Sequence, residues 1–168
     1  PPPIWTLTNY SGNYFWTTNV SVARAQLDAV GGAFTETFRE YGWEDIELGL
    51  RLRFAGTRST FNPRALVYHY KPPPRGAQIE GTLRQARSQA RTAHELEHLQ
   101  PHWRARLATG DYPAARALHR VGRSLGGVDR ARSRLALTEP DAELDKRERA
   151  ALRTLARAAY YDELERSK

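Results

Sequence analysis

Tyr41-Gly42-Trp43-Glu44-Asp45-Ile46-Glu47-Leu48-Gly49-Leu50-Arg51-Leu52 places two adjacent carboxylates between a Gly-Trp pair and an apolar run. Holding a carboxylate near apolar surface costs several kcal/mol unless something is gained by it. Adjacent carboxylates also repel, an arrangement that prepares one of them as a base. Trp43 offers a flat apolar face of the kind sugars stack on, and Gly42 allows close backbone approach to a ligand. The competing reading is a helix N-terminus, where Glu44 and Asp45 complement the dipole and cap free N–H groups. Periodicity alone leaves the next residues open. Ile46, Leu48, Leu50, Leu52 and Phe54 alternate as a strand would, and Ile46 with Leu50 fits helical spacing equally well. The acidic start, Arg51 and Arg53 near the end and Gly56 as a stop decide for helix.

Working outward, Phe15-Trp16-Thr17-Thr18-Asn19-Val20-Ser21-Val22-Ala23-Arg24 and Gly31-Gly32-Ala33-Phe34-Thr35-Glu36-Thr37-Phe38 lie upstream. Ala55-Gly56 and Asn62-Pro63-Arg64-Ala65-Leu66-Val67-Tyr68-His69 lie downstream. This order, over roughly residues 14 to 70, resembles the second half of the catalytic domain of family 2 glycosyltransferases, including their galactosyltransferase-like C-terminal region. That region reads N-x-S-x-x-R, G-G-F-D-E-x-F, a G-W-E-D-x-E-L-x-x-R-L block and a short strand ending in His. Several motifs in the right order are more specific than any one of them. Ala33 and Thr35 depart from the pattern, and Phe34 and Glu36 restore it one residue late, as a one-residue insertion would.

The resemblance implies an α/β fold: the C-terminal, acceptor-side half of a GT-A-like domain, followed by an all-helical extension. It implies an inverting, metal-dependent transfer of a sugar from a nucleotide-sugar to an acceptor hydroxyl. Inversion needs a base within hydrogen-bond reach of that hydroxyl. By resemblance the base is Asp45, with Glu44 helping to bind the acceptor. Trp43, Gly42, Asn19 and Trp16 would line the acceptor pocket. His69 would complete the site of a divalent ion, Mn²⁺ or Mg²⁺, since imidazole suits a mixed oxygen and nitrogen shell. A lone His at a strand end is more often a satisfied edge residue. No Asp-x-Asp occurs here, so the remaining ligands would come from a nucleotide-binding half outside this sequence. The opening Pro1-Pro2-Pro3 without Met fits a fragment, and the isolated chain is then expected to be inactive.

The 168 residues carry a formal net charge of +7, almost all from Arg, with Lys only at positions 71, 146 and 168. A chain of this length buries roughly 70% of its unfolded surface. The arginines are spread over every predicted helix without interleaved aromatics, which argues against a specific nucleic-acid face. Absence of Cys excludes disulfide and thiolate chemistry. No apolar run reaches the roughly 18 residues that span a bilayer. The expected location is cytoplasmic, with peripheral membrane contact as a further possibility.

Three segments follow: 1–72 as the catalytic part, 73–77 as a Pro-rich linker and 78–168 as the helical extension. Short strands are expected around Ile4 to Leu7 and Tyr14 to Thr18, flanking a turn at Asn9 to Asn13, and again over 59–62 and 65–70. Ser21 reads as the cap of a helix to Val30, and Phe34 with Phe38 as one helical turn. Helices are predicted over 78–99, 101–109, 112–124, 128–136 and 139–166, with Pro101 and Pro113 in first turns and Asp111 and Thr138 as caps. The last carries Leu144, Ala151, Leu152, Leu155 and Ala159 on one face, enough for self-association or docking on a partner helix. Three other classes compete with the transferase. One is a non-catalytic helical interaction module. Another is a zinc hydrolase built on His94-Glu95-x-x-His98, which the polar flanks and Pro101 before His102 disfavour. The third is a nucleic-acid binder using the arginines.

Overall fold

The computed structural model of the chain describes residues 15, 17–60, 62 and 64–167. Among the described residues seven α-helices run in order: α1 Arg24–Ala29, α2 Glu44–Phe54, α3 Ile79–Leu99, α4 Trp103–Thr109, α5 Pro113–Ser124, α6 Gly127–Leu135 and α7 Lys146–Arg166, with a 3-10 turn at Gly76–Gln78 before α3. The expected α/β half-domain is not what forms. Among the described residues the only β pairing is an isolated bridge between Arg75 and Glu143. A strand needs a partner to satisfy its backbone groups, and periodicity cannot supply one. Residues 65–70 lie instead as open chain, with Tyr68 95% and Tyr70 85% exposed. Residues 59, 60 and 62 likewise form no strand. The strand expected over Ile4 to Leu7 and the turn at Asn9 to Asn13 lie outside the described residues, as do Tyr14 and Trp16 of the strand expected to Thr18. Its Thr17 and Thr18 form a turn instead.

The long helices α3 and α7 form the centre. Ile79 and Leu83 pack with Ala151, Leu152 and Leu155, while Ala90 and Ala93 pack with Tyr161 and Leu164. Early residues meet early residues and late meet late, so the two helices run parallel, about 72 positions apart, as the Arg91–Glu163 contact repeats. Alanines at 86, 90, 93, 151 and 158 are buried along this seam. Side chains this small let the helix backbones approach closely. Ala131, Leu135 and Leu144 extend the same core. A third cluster joins Ile46 and Leu50 of α2 to Leu96 and Ala105, with Phe38 and Trp43 packed against it.

The helix limits follow local chemistry. Pro113 occupies the first turn of α5, and Gly110 ends α4 in the left-handed region. Pro101, by contrast, precedes α4, whose N-cap is His102, its ring accepting from the Arg104 N–H at 3.2 Å. Tyr112 rather than Asp111 is the N-cap of α5. α7 starts at Lys146, not near 139, because Asp145 and Glu148 form a reciprocal capping box at 2.6 and 2.8 Å. Thr138 serves that box from outside, donating to Glu148 at 2.7 Å. α1 starts at Arg24 rather than after Ser21 and buries no residue, so packing adds nothing to lengthen it. Phe34 and Phe38 flank a turn, not a helix, and only Phe38 reaches the core.

The proline-rich stretch is fastened at its far end. Leu144 N donates to Pro74 O at 2.9 Å, and Ala77 N to Pro140 O at 2.8 Å. A Cβ on Gly76 would fall 2.2 Å from Glu139 O, so only glycine fits there.

Candidate functional site

α2 begins with two consecutive residues of positive φ, Gly42 at 122° and Trp43 at 73°. Glycine is required at 42 for its backbone and for space, because a Cβ would lie 2.8 Å from Gln89 Cγ. Trp43 is the one non-glycine among the described residues with positive φ. Its ring holds it there: the indole N–H donates to Gln89 O at 2.6 Å, and Tyr160 meets it edge-on at 6.5 Å. The preceding residues are tied to α3 as well. Ser88 and Thr92 hydroxyls each donate to Tyr41 O at 3.3 Å. Arg91 Nε donates to both Glu40 oxygens at 3.0 and 3.2 Å, and its Nη1 to Glu163 at 3.1 Å. The turn that aims the carboxylates is thus mounted on the α3–α7 pair.

Neither carboxylate caps its own helix, since Trp43 is the N-cap and no side-chain bond closes that end. Glu44 reaches back to the Gly42 N–H at 3.2 Å. Asp45 Oδ2 accepts from the Thr17 N–H at 3.3 Å and from its hydroxyl at 3.2 Å, 28 residues away. Among the described residues Asp45 Oδ1 accepts no hydrogen bond. Asn19 donates to Ala65 O at 2.8 Å. The turn at Thr17 to Asn19 therefore connects the Glu44-Asp45 pair to the segment that carries His69, which is exposed four residues beyond Ala65. Trp16 lies outside the described residues.

Behind the pair, Glu47 is 3% exposed and accepts from Arg51 Nε at 2.8 Å and from Gln100 at 3.0 Å. Arg51 turns the rest of its guanidinium to the carbonyls of Val30 at 2.8 Å, Gly32 at 3.1 Å and Ala33. Five N–H donors in one plane suit this multiple capture of a loop. Spacing alone gives Arg51 only a place at the basic end of the helix and Glu47 no role. The signal was present as Glu47 and Arg51 at i, i+4, but the loop it clamps is remote in sequence. Arg91, Glu40 and Gln89 carried no such signal.

His94 and His98 do not assemble a metal centre with a third ligand. His94 Nε2 lies 3.2 Å from Leu164 O, and no cluster of three His, Asp or Glu able to hold a metal occurs among the described residues. The same holds at His69, which supplies one ligand at most; the residues present do not by themselves fit a divalent ion. No helix among the described residues is long and apolar enough to cross a membrane.

No family profile matches the chain, and no solved structure is similar to it. A 47-residue stretch is 51% identical to validoxylamine A glucosyltransferase from Streptomyces hygroscopicus subsp. jinggangensis (strain 5008), covering 28% of this chain and 11% of that protein. The corresponding protein of Streptomyces hygroscopicus subsp. limoneus matches equally, 51% over 47 residues and 10% of its length. Part of this chain is therefore similar to part of a glycosyltransferase. The likeness is local. It spans about a tenth of the length of those relatives.

Proposed function

We propose that the chain contributes the acceptor side of a glycosyltransferase that moves a sugar from a nucleotide-sugar to a hydroxyl acceptor, with inversion. The observation that carries this reading is the 47-residue similarity to two glucosyltransferases. The arrangement around Asp45 supports it. A general base needs an accessible oxygen and a fixed position. Two bonds from Thr17 hold Oδ2, leaving Oδ1 to accept the proton as the acceptor oxygen attacks the sugar carbon and the bond from that carbon to the departing nucleotide's phosphate oxygen breaks. Glu44 would hold a further acceptor hydroxyl, and Asn19 and Trp16 would shape the acceptor wall, while Gly42 and Trp43, packed on α3, would hold the turn that positions the two carboxylates. His69 would be one ligand of a Mn²⁺ or Mg²⁺ ion whose other donors lie outside this chain.

The donor would be held by a nucleotide-binding partner region. Leu66, Val67, Tyr68 and Tyr70 stand 59% or more exposed in one short stretch, more apolar surface than a single segment usually leaves to water. We assign that stretch, in the catalytic part before residue 73, as the contact with the donor-binding region. The segment from 78 onward supports the 40–45 turn from behind. The test is sugar-nucleotide turnover by the complete polypeptide against chain 1–168 alone. Turnover is expected only in the former. Robust turnover by 1–168 alone overturns the division of labour, and none by either overturns the transferase reading.

A further inference from the structure

α5 leaves one face unused by the fold. Its inner side carries buried Ala115 and the His119 ring, stacked on Tyr161 at 4.8 Å. Another side carries Arg120 and Arg123, paired with Glu165 and Asp162 of α7. The remaining face presents Leu118 63%, Val121 54% and, just past the helix end, Leu125 66% exposed, at i, i+3 and i+7. Three large apolar side chains at helical spacing form a stripe, not scattered surface residues. α6 abuts it closely: a Cβ on Gly127 would fall 2.9 Å from Gly122 O. From 112 to 137 the chain holds six arginines, at 116, 120, 123, 130, 132 and 134. Four are paired within the fold, Arg116 with Asp111, Arg120 with Glu165, Arg123 with Asp162 and Arg132 with Asp129, and Arg130 and Arg134 are exposed on α6.

We propose that the α5–α6 pair docks in-plane on an anionic lipid surface, with Leu118, Val121 and Leu125 entering the headgroup and acyl boundary. An apolar stripe beside an arginine-rich surface is what an interfacial helix presents to acidic lipid. A second copy of the chain would bring two such arginine sets face to face, at a cost in repulsion. A nucleic-acid backbone would match the arginines but offers nothing to leucines at i, i+3 and i+7.

Flotation of the full chain with vesicles tests this. Binding is expected to phosphatidylcholine vesicles containing roughly 30% phosphatidylserine at about 0.1 M salt, and to fall steeply with added salt. Pure phosphatidylcholine should bind weakly. Leu118→Gln with Leu125→Gln, both at exposed positions, should reduce partitioning roughly tenfold per leucine. Arg130→Gln with Arg134→Gln should reduce it roughly fivefold each. Circular dichroism checks that both variants stay folded. Absence of binding to anionic vesicles overturns the proposal. So does undiminished binding by the leucine variant, which would place the attraction elsewhere on the basic chain. A lipid-free dimer in sedimentation that the leucine variant dissociates also overturns it, because a second copy then covers the stripe.

Discussion

Asp45 stands in the first turn of α2, yet its oxygen serves Thr17 rather than that helix. The distinction matters because a cap and a base respond differently to one substitution. Asp45→Asn keeps size and a polar acceptor but removes the basic lone pair. If Asp45 is the base, turnover in the complete enzyme should drop by about 10² to 10⁴, a barrier increase of about 3 to 5 kcal/mol. A merely structural role predicts a shift of about 1 kcal/mol in stability with turnover almost unchanged. The measurement is kcat beside a melting curve for both proteins. Gly42 makes a second residue-scale case. Gly42→Ala places a Cβ against Gln89 at a φ of 122°, strain of about 1 to 3 kcal/mol. A lowered Tm is expected together with lower activity, since this turn aims Asp45. An unchanged Tm would show that the α3 contact yields easily. A need for backbone freedom at Gly42 was legible from its place before Trp43, though not its close contact with Gln89. That Trp43 itself would take a left-handed backbone was not, because the force holding it comes from Gln89 and Tyr160, far along the chain.

At the scale of elements, α2 was readable because its signals are local: an acidic first turn, basic last turn and a glycine stop. The four helices from 79 to 135 were readable for the same reason, with Gly110, Pro113 and Gly126 marking their limits. The Asp145-x-x-Glu148 box was in plain view in the sequence and would have set the α7 start correctly. Strands over 65–70 were a different matter. Alternation there is real, but a strand exists only with a partner, and none pairs with it among the described residues. What α2 does beyond its own length is clamp the Val30 to Ala33 loop through the Glu47–Arg51 pair. Removing one member of a buried pair strands the other charge, a loss of about 3 to 5 kcal/mol. Glu47→Ala should therefore destabilise the chain by about that amount in urea titration and raise amide exchange at residues 30–33. Destabilisation below about 1 kcal/mol would mean that Gln100 and water replace the lost partner.

Across the whole molecule, the parallel α3–α7 pair and the turn before α2 share one ionic junction. Arg91 holds Glu40, which precedes the site, and Glu163 of α7. This junction joins the two sides of the proline-rich stretch, which composition alone presents as a boundary. Its pH behaviour follows from the directions of the shifts. The hydrogen bond from Arg91 holds Glu40 below the ordinary carboxylate range. Burial pushes Glu163 upward, but bonds from Arg91 and Arg166 outweigh it and leave the group lowered. Arg91 is raised by the same contacts and stays charged throughout. A carboxylate lowered on folding contributes stability that is fully present above its unfolded pKa, about 4.3 for Glu, and is lost as pH falls through its folded value. The wild-type chain should therefore hold its Tm from neutral pH down to about pH 5, then lose it as Glu40 and Glu163 protonate. Arg91→Met keeps the length of the side chain along α3 and deletes the charge. At pH 7 it should cost about 2 kcal/mol, or roughly 4 to 8 °C in Tm. Below about pH 4 the difference from wild type should shrink, because protonated carboxylates gain little from a guanidinium. A Tm gap that stays constant from pH 7 to pH 3 would assign the effect to packing of the Arg91 stem. The junction would then not be the ionic link that mounts the Asp45 turn on the helical pair.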